Sequence, residues 1–549
     1  MIPENIETYL GIDLSTQKLK AVIVDSKLQT LVQSEVKFDS DLPEFRTIGG
    51  VNAGKNKNEF HVKPMMWVKA LDILFDRLVV NGAQLSTVAA ISGSAQQHGT
   101  VYWSKHGVKT LMSLDSDKFL HTQLDESAFT LIQTPIWMDG STEKQCIEME
   151  EAIGGRDEMV LFTGSKCYPR FSGPQIRKVY QTLSSCYENT ERISLVSSFL
   201  GSIFINNLAP IDYTDGSGMN LFDINKRTWS EACLNACAPD LEEKLGQPVP
   251  ANSVIGKIGS FFVQRYSFDP NCKVIAFTGD NASAISGMLI TENWLAMSLG
   301  TSDTIMMPLD EPAYFEEGHV FVHPTENRFM GMLCFRNGSL VRDIFKRSEA
   351  NNDWKYFSEL LESTPRGNYG NMALHFVQKE IIPDVKGSIR WNKNSDIAST
   401  ELSKGVVKFS SPQTEIRALI EGQMLHHKAI ASDMGFSFGE DTRILATGGA
   451  SANEAILQVI SDVFNAPIYI QKTTEAALLG AAFRAKYNLY LSRLPSGQTK
   501  YESFSEYISE FVPNHKQRLR SPSADCETIY EKMLDRYRDM VTILKTRDE

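Results

Sequence analysis

The chain has 549 residues, which is too long for one hydrophobic core and therefore predicts two large domains. Its formal net charge of −12, with no compact run of lysine or arginine, argues against a nucleic-acid backbone or an anionic membrane as a partner. The eight cysteines are scattered, and the N-terminus has neither a basic start nor an apolar core of signal length. These features predict reduced thiols in a cytoplasmic protein.

The first predicted element is a strand–turn–strand unit near the N-terminus, in the sequence YLGIDLSTQKLKAVIVD. Apolar residues predict strands at Tyr9–Leu14 and Lys20–Val24, joined by a polar turn with Asp13 at its edge. The backbone N–H groups of such a turn can cradle a phosphate without any lysine. A purely structural hairpin explains the same pattern, so both interpretations stay open for this unit taken alone.

A second buried strand is predicted at Val88–Ser94, after a helix at Met65–Leu78. The strand ends in Gln96-Gln97-His98-Gly99. A histidine between glutamines and a glycine, just after a buried strand, is a candidate for contact with a polar ligand. The alternative is a hydrogen-bonded histidine of the core.

Two further helices are predicted before residue 211. One covers Thr142–Ile153, after a turn that carries Trp137. The other falls in the uncharged run Ile193–Ile211, which contains serines and asparagines and has apolar residues at helical spacing. This composition predicts a helix packed on one face and not a membrane span.

The segment VIAFTGDNASAISG concentrates polar chemistry after a short buried strand. The strand is predicted at Val274–Phe277, and it delivers Asp280 and Asn281 to a loop that opens a small-residue helix. A carboxylate at the end of a strand is well placed to act as a base toward a hydroxyl nucleophile. Gly-Asp-Asn is also ordinary turn chemistry, so the segment alone does not decide between the two.

We place the domain boundary at residues 288–293, which gives an N-terminal domain 1–290 and a C-terminal domain 291–549. The second domain restarts the pattern with a strand–turn–strand unit at Leu295–Met307, around Gly300-Thr301-Ser302. At Ile444–Ile456 a strand leads through the Gly448-Gly449 turn into a helix. A glycine pair lets a flat base approach the backbone, and together with two phosphate-binding turns it predicts an ATP site.

The rest of the second domain carries less information. Residues Tyr314–Arg366 show no clear chemical motif. The small residues of Thr474–Ala482 predict close helix packing at an inter-domain connection, and the polar segment 491–525 predicts a loop. Apolar residues at helical spacing from Ile529 to Leu544 predict a C-terminal helix docked on the body.

The order and wording of these segments closely resemble the FGGY carbohydrate kinases over nearly the whole chain. The matching segments are GIDLSTQKLKAVIVD, SGSAQQHGTVYW, PIWMDGST, GSKCYPRFSGPQI, PIDYTDGSGMNL, FTGDNASAISGML, SLGTSD, LATGGASANEAILQVISDVFNAPI and TTEAALLGAAFRA. The glycine-rich segments are typical of the wider actin/hexokinase-like superfamily. Those around His98, Arg170 and Asp280-Asn281 point to the branch that phosphorylates pentuloses.

The resemblance implies an α/β protein with the two-domain actin/hexokinase-like (ribonuclease H-like) fold and an active site in the inter-domain cleft. The N-terminal domain is then expected to bind the sugar and to supply the first phosphate turn and the catalytic base. The C-terminal domain is expected to supply the second phosphate turn, the adenosine site and the C-terminal helix. The implied reaction is the transfer of phosphate from ATP to D-xylulose.

The same resemblance implies roles for individual residues. Asp280 is the expected general base toward the O5 hydroxyl, and the expected sugar contacts are His98, Arg170, Asp280, Asn281 and Gln97. The expected nucleotide contacts are Asp13, Ser15, Thr16, Gln17, Gly300, Thr301, Ser302, Trp354, Gly448, Gly449, Ala450 and Asn453. Asp13 is also expected to face Mg²⁺ through water. Ser15-Thr16 replaces the superfamily's usual glycine-threonine, although a serine can still take the turn conformation and donate a hydroxyl.

Two alternatives stay open at this stage. One is the same chemistry on another sugar or polyol, such as ribulose, fuculose, glycerol or gluconate. The other is an actin-like ATP-binding module without a sugar substrate. Asp280 beside Asn281, with His98 and Arg170, argues against it, because such a module needs no polyol-binding groups. A panel of ketoses tested for substrate-dependent ADP release would separate these possibilities.

Overall fold

The computed structural model describes residues 7–392, 408–471, 475–495, 498–513 and 515–548. The chain divides into two compact units. The first consists of Met1–Leu289, Val320–Phe329 and Glu475–Pro513, and the second of Ile290–His319, Met330–Thr474 and Asn514–Glu549. Within the described ranges, every helix is too short or too polar to cross a lipid bilayer.

The segment that ends at Leu289 contains fourteen strands and fourteen α-helices among its described residues. The strands are β1 (Thr8–Leu14), β2 (Lys18–Val24), β3 (Thr30–Lys37), β4 (Asn52–Ala53), β5 (Phe60–Val62), β6 (Val88–Ala95), β7 (Thr100–Ser104), β8 (Thr134–Pro135), β9 (Thr190–Leu195), β10 (Phe222–Asp223), β11 (Thr228–Trp229), β12 (Val254–Lys257), β13 (Lys273–Ile275) and β14 (Thr278–Gly279). The helices are α1 (Phe38–Asp41), α2 (Pro64–Val80), α3 (Lys105–Leu111), α4 (Leu120–Gln123), α5 (Glu143–Ala152), α6 (Arg156–Thr163), α7 (Ser172–Thr182), α8 (Ser184–Glu188), α9 (Val196–Ile205), α10 (Tyr213–Gly216), α11 (Glu231–Cys237), α12 (Leu241–Leu245), α13 (Ser260–Tyr266) and α14 (Asp280–Met288).

The segment from Ile290 onward continues the alternation of strands and helices. Its strands are β15 (Trp294–Leu299), β16 (Asp303–Leu309), β17 (His319–Val322), β18 (Phe329–Phe335), β19 (Met372–Phe376), β20 (Gly387–Trp391), β21 (Arg443–Thr447), β22 (Ile468–Gln471) and β23 (Lys516–Arg520). Its helices are α15 (Ser339–Glu349), α16 (Trp354–Glu362), α17 (Pro412–Asp433), α18 (Glu454–Phe464), α19 (Ala476–Arg493), α20 (Phe504–Ser509) and α21 (Cys526–Asp548).

The first unit is built on a mixed sheet with the strand order β12-β13-β6-β1-β2-β3. Strand β1 lies parallel to β6 and antiparallel to β2, so the predicted strand–turn–strand unit is confirmed. Side chains alternate between the two faces of a strand. Leu10 and Ile12 accordingly pack into one core with α2 and α9, whereas Tyr9 packs on the other face with α19 and α20.

Helices α14 and α19 of the first unit pack closely because their facing residues are small. A Cβ atom built on Gly480 would lie 1.9 Å from the carbonyl oxygen of Ser283, and one built on Gly287 would lie 1.9 Å from that of Ala476. The helix packing predicted for Thr474–Ala482 is therefore confirmed for its described part, while Thr474 lies outside the described residues.

The second unit is built on a sheet whose strands follow the order β18-β16-β15-β21-β22-β23. Strands β15 and β16 form the predicted antiparallel hairpin, and β15 lies parallel to β21. Helix α21 docks on α17, where Tyr530 donates to Glu421 at 2.7 Å and Tyr537 bonds to His426 at 2.6 Å. The predicted docking of the C-terminal helix is confirmed.

Two parts of the sequence-based interpretation differ from the structure. The sequence-based boundary placed all of 291–549 in the C-terminal domain. In the structure, Val320–Phe329 and Glu475–Pro513 belong to the first unit. Val320 N donates to Gly164 O at 2.9 Å, and α19 covers a face of the first sheet. The interpretation of 491–525 as a loop was wrong, because this segment contains the end of α19, the helix α20 and the strand β23. Residues 496–497 and 514 of that segment lie outside the described residues.

The uncharged run 193–211 forms the end of β9 and the helix α9. The expectation of a helix packed on one face was too narrow, since every residue from Val196 to Phe204 is buried. Serine is small enough to be enclosed when its hydroxyl finds a partner. Ser202, for example, donates to the carbonyl oxygen of Ser198 at 2.7 Å.

Candidate active site

The predicted catalytic segment lies where two neighbouring strands of the first sheet end. Strand β14 pairs in parallel with the last residues of β6. Asp280 therefore begins α14 beside the loop that carries Gln97 and His98. The backbone N–H of Asn281 donates to Asp280 Oδ1 at 2.8 Å, which holds the carboxyl close to the start of the helix.

The surroundings of Asp280 disfavour its charged form. Although part of the residue reaches the surface, protein atoms surround its carboxyl. This burial, together with the negative charge of Asp13, raises the pKa of Asp280 to about 7, and the positive charge of Lys20 opposes the rise only in part. A carboxylate with a pKa near neutrality is well matched to accept a proton at physiological pH.

Asp13 is buried at the end of β1 and is engaged by two hydroxyls. Ser94 Oγ donates to Asp13 Oδ1 at 2.8 Å, and Ser15 Oγ donates to Oδ2 at 2.5 Å. Lys20 Nζ lies 3.5 Å from Oδ2 and also pairs with Glu475. Burial opposes the charge on Lys20, but the two carboxylates outweigh it and raise the pKa of Lys20. Lys20 is therefore a charged partner of both acids.

His98 and Arg170 form a neutral acceptor beside a cation. The buried His98 ring stacks on Phe171 at a centroid distance of 4.3 Å, and its Nδ1 lies 2.9 Å from the carbonyl oxygen of Gly218. Because a carbonyl only accepts, Nδ1 carries the hydrogen and Nε2 is an acceptor. Burial and the charge of Arg170 lower the pKa of His98 to about 3, so the ring is neutral at pH 7. Arg170 is half-buried and has no hydrogen-bond or ion-pair partner among the described residues.

Gln97 and Asn281 are joined directly, since Asn281 Nδ2 donates to Gln97 Oε1 at 2.9 Å. The Gln97 side chain lies beside Asp215, which accepts from Ser197 Oγ at 2.5 Å. Burial raises the pKa of Asp215, and the charge of the neighbouring Asp212 raises it further. Sequence reasoning missed this buried acid, although its segment PIDYTDGSGMNL was among those that resemble the family.

The predicted first phosphate turn, Ser15–Gln17, is supported from two sides. The indole N–H of Trp137 donates to Thr16 Oγ1 at 2.8 Å. Gly50, at φ 81°, lies so close that a Cβ atom would sit 2.0 Å from the carbonyl oxygen of Thr16. Because the indole only donates, the hydrogen of the Thr16 hydroxyl is left for another acceptor. Trp137 was not among the predicted site residues, although its segment PIWMDGST was among those that resemble the family.

The predicted second phosphate turn lies in the second unit between β15 and β16. Its first two carbonyl oxygens accept from the start of α15: Ser339 N donates to Gly300 O at 2.9 Å, and Leu340 N donates to Thr301 O at 3.3 Å. Asp303, which directly follows the turn, forms a buried two-point ion pair with Arg342 at 2.9 and 2.7 Å. These bonds hold the turn against α15.

Six of the twelve residues predicted to contact the nucleotide line a cavity of about 780 Å³ in the second unit. Its lining includes Gly300, Thr301, Trp354, Gly449, Ala450 and Asn453. A volume of this size is typical of small-molecule and cofactor sites. A Cβ atom built on Gly449 would meet nothing within 4 Å, so this glycine faces open space.

Two of the predicted nucleotide residues, Gly448 and Asn453, have a structural role in the second unit. Asn453 caps α18 by accepting from Ile456 N at 3.1 Å while it lines the cavity. Gly448 has a φ of 81°, and a Cβ atom there would lie 2.8 Å from the backbone of Leu299. Gly448 and Ser302 are not part of the cavity lining. Gly448 therefore serves close backbone packing.

Both halves of this chain are similar to known proteins. Residues 118–287 match the N-terminal domain, and residues 295–489 the C-terminal domain, of the FGGY family of carbohydrate kinases. Xylulose kinase from Rattus norvegicus is 44% identical over 97% of this chain and 96% of its own length. Xylulose kinase 2 from Arabidopsis thaliana is 44% identical over 95% of this chain and 94% of its own length.

A solved structure of ligand-bound xylulose kinase from Lactobacillus acidophilus has the same fold. It superposes with a TM-score of 0.75 at 18% identity and covers 99% of each chain. The two-domain actin/hexokinase-like α/β fold predicted from the sequence is confirmed by this likeness.

Proposed function

Because the chain belongs to the FGGY family of carbohydrate kinases, we propose that it transfers the γ-phosphate of ATP to O5 of D-xylulose, with Asp280 as the general base. The chain is an ATP-dependent sugar kinase. The observation that carries the proposed mechanism is the partly desolvated carboxyl of Asp280, whose pKa is about 7, beside a cluster of neutral hydrogen-bonding groups.

Asp280 is suited to orient a hydroxyl and to take its proton late in the reaction. A primary hydroxyl is too weakly acidic to be ionised by a carboxylate before the reaction begins. Phosphoryl transfer passes through a loose transition state, so the proton can move as the new O–P bond forms. Asp280 would hold the O5 hydroxyl in line with the γ-phosphate and accept its proton when ADP leaves.

The sugar-binding groups supply both kinds of hydrogen bond that a neutral polyol needs. His98 Nε2 offers an acceptor, and the guanidinium of Arg170 offers donors in a rigid fork. Asn281 Nδ2 is bound to Gln97, which leaves the Asn281 carbonyl oxygen to accept from a neighbouring sugar hydroxyl. In this proposal Gln97 positions Asn281 and borders the same site.

The nucleotide is proposed to occupy the cavity of the second unit. The base would lie between Trp354 and the open face of Gly449, with Ala450 and Asn453 at its edge. Within the second unit, the phosphates would approach the turn Gly300–Ser302. The turn Ser15–Gln17 is proposed as the phosphate-binding turn of the first unit. The backbone N–H groups of such turns suit phosphate oxygens.

Mg²⁺ is proposed to accompany the phosphates near Asp13. Among the described residues no group of three or more His, Cys, Asp or Glu could hold a metal ion alone. The charge of Asp13 raises the pKa of Asp280, so the two carboxylates are neighbours. One or two carboxylates that act with substrate phosphates and water are the usual magnesium site, so Asp13 fits this role. When bound, Mg²⁺ would neutralise charge on the transferring phosphate.

We also propose a cytoplasmic location, supported by the eight cysteines, all of which lie in the described residues and none of which forms a disulfide.

The experiment that tests the proposed function is a panel of sugars and polyols assayed for substrate-dependent ADP release. D-xylulose is expected to give the highest kcat/KM. Preference for ribulose, fuculose, glycerol or gluconate would change the substrate while keeping the chemistry. If the protein binds ATP but none of these sugars or polyols causes release of ADP, the kinase assignment is contradicted.

A further inference from the structure

We propose that Ser339 is a further nucleotide-binding residue, whose hydroxyl donates to a phosphate oxygen, and that the buried Arg342 holds the hydroxyl in this orientation. The inference rests on the proposed nucleotide site in the second unit. It adds a residue to the segment 314–366, in which the sequence showed no chemical motif and only Trp354 was expected to contact the nucleotide.

Ser339 lies at the phosphate-binding turn. It lines the same cavity as Gly300 and Thr301, and its backbone N–H donates to Gly300 O at 2.9 Å. Trp354 and Gly449, which are proposed to flank the base, line the cavity as well. Ser339 therefore adjoins the part of the cavity formed by the turn.

The direction of one hydrogen bond fixes what the Ser339 hydroxyl can do. Arg342 Nη2 donates to Ser339 Oγ at 2.8 Å, and a guanidinium has donors only. The hydroxyl hydrogen of Ser339 must therefore go to a different acceptor. Within the described part of the chain, the Ser339 side chain has no bond in which it is the donor. A phosphate oxygen in the adjoining cavity is an acceptor of the right kind.

Arg342 is held so firmly that it can orient the hydroxyl before the nucleotide arrives. Its side chain is fully buried and pairs with both carboxylate oxygens of Asp303, at 2.9 and 2.7 Å. Arg342 Nη1 also donates to Gln423 Oε1 at 3.1 Å, and Gln423 Nε2 donates to Asn337 O at 2.7 Å. The guanidinium is thus fixed on three sides. Donors that are pre-oriented in this way bind a developing or fixed negative charge with little reorganisation.

Calorimetric titration with ADP in the presence of Mg²⁺, and separately with adenosine, tests the proposal. Ser339→Ala removes the hydroxyl but leaves the Arg342–Asp303 pair. We expect the Kd for ADP to rise about tenfold or more, as for a lost bond to a charged group, with the Kd for adenosine unchanged. Ser339→Thr keeps a hydroxyl and should restore ADP affinity. Ser363→Ala, an exposed serine on a helix end of the same unit, is the matched control.

Arg342→Lys tests the orienting role. A lysine keeps a charge near Asp303 but cannot form the two-point pair with Asp303 and also donate to Ser339 Oγ. ADP affinity should fall with adenosine binding intact, and Ser339→Ala should add little in the Arg342→Lys background. If Arg342→Lys does not fold, Ser339→Ala and Ser339→Thr still decide whether the Ser339 hydroxyl binds the phosphate.

The outcomes separate this proposal from the function on which it rests. Unchanged ADP affinity in Ser339→Ala, or an equal loss for ADP and adenosine, would overturn the role of Ser339 while leaving the nucleotide site in place. A wild-type protein that binds neither ligand would overturn both the nucleotide site and the role of Ser339.

Discussion

The pKa of Asp280 determines the pH at which it can act as a base. Two features of its surroundings raise this pKa: the burial of its carboxyl and the negative charge of Asp13. They raise its pKa from 3.8 to about 7. If Asp280 must be ionised to accept a proton, kcat/KM should rise with pH and reach half its maximum near pH 7. The pH profile measures this directly.

Asp280→Asn should lower kcat roughly 10²–10⁴-fold and leave ADP affinity almost unchanged.

The same pKa shift provides a folding control for that variant. The folded protein keeps a proton on Asp280 between pH 4 and 7 that the unfolded chain releases, so stability falls as pH rises through this window. Asp280→Asn removes the carboxylate, and its free energy of unfolding at pH 8 should equal or exceed that of the wild type. Near-normal turnover in this variant would show that another group is the base.

Arg170 is expected to carry sugar affinity because its donors have no partner within the described residues. Arg170→Ala would leave a sugar hydroxyl unpaired and should weaken D-xylulose binding by about 1–3 kcal/mol. His98→Ala and a deoxy analogue of the sugar should give similar losses. Calorimetric titration measures these affinities, with Lys109→Ala, which removes an exposed charge in the same unit, as the control. Wild-type affinity in both site variants would take His98 and Arg170 out of the sugar site.

At the scale of the element, the Gly448–Ala450 segment after β21 offers a test of the nucleotide cavity. Gly449→Val would place a branched side chain in space that is open in the structure. The KM for ATP should rise about tenfold, as expected for an overpacked site, while D-xylulose affinity stays the same. Gly439→Val is the matched control, since a Cβ atom there also meets nothing within 4 Å. A loss of sugar binding instead would mean that the cavity does not hold the nucleotide.

The contact between α14 and α19 offers a second test at this scale. A methyl group on Gly480 would meet the carbonyl oxygen of Ser283 at 1.9 Å, and backbone cannot yield as a side chain can. Gly480→Ala should lower the free energy of unfolding by about 1–3 kcal/mol or more. Because α14 begins at Asp280, kcat should fall as well. Urea denaturation and turnover measure the two effects, and Gly439→Ala should change neither. A Gly480→Ala variant of wild-type stability would contradict the close packing.

These elements show why some of the molecule could be predicted and some could not. The hairpins around Ser15–Gln17 and Gly300–Ser302 were predictable because short apolar runs flank polar turns, which is a local signal. Strand β23, KQRLR, was missed because it lies at a sheet edge, where charged residues are common and no apolar alternation marks the strand. The roles of Asp215 and Arg342 depend on contacts with residues that are distant in the sequence, which no local pattern records.

At the scale of the whole molecule, the first unit is completed by chain that comes long after its sheet. Helices α19 and α20 cover the face of that sheet formed by Tyr9, Val22 and Ala90. A fragment of residues 1–289 should therefore expose this apolar face, bind a hydrophobic dye and unfold without a cooperative transition. Joining residues 475–513 to the fragment should restore cooperativity. Circular dichroism during thermal unfolding compares the two, and a cooperative transition in 1–289 alone would contradict the dependence on α19.

The late position of α19 also sets an order of events on the ribosome. Multidomain chains commonly fold their N-terminal part first as it emerges. Here the N-terminal sheet must wait while residues 290–474 are made, roughly 10–40 s at about 5–20 residues per second. Throughout that interval one apolar face of the nascent sheet has no cover. The growing chain is thus most exposed to aggregation, and most dependent on ribosome-associated chaperones, before its first half can finish folding.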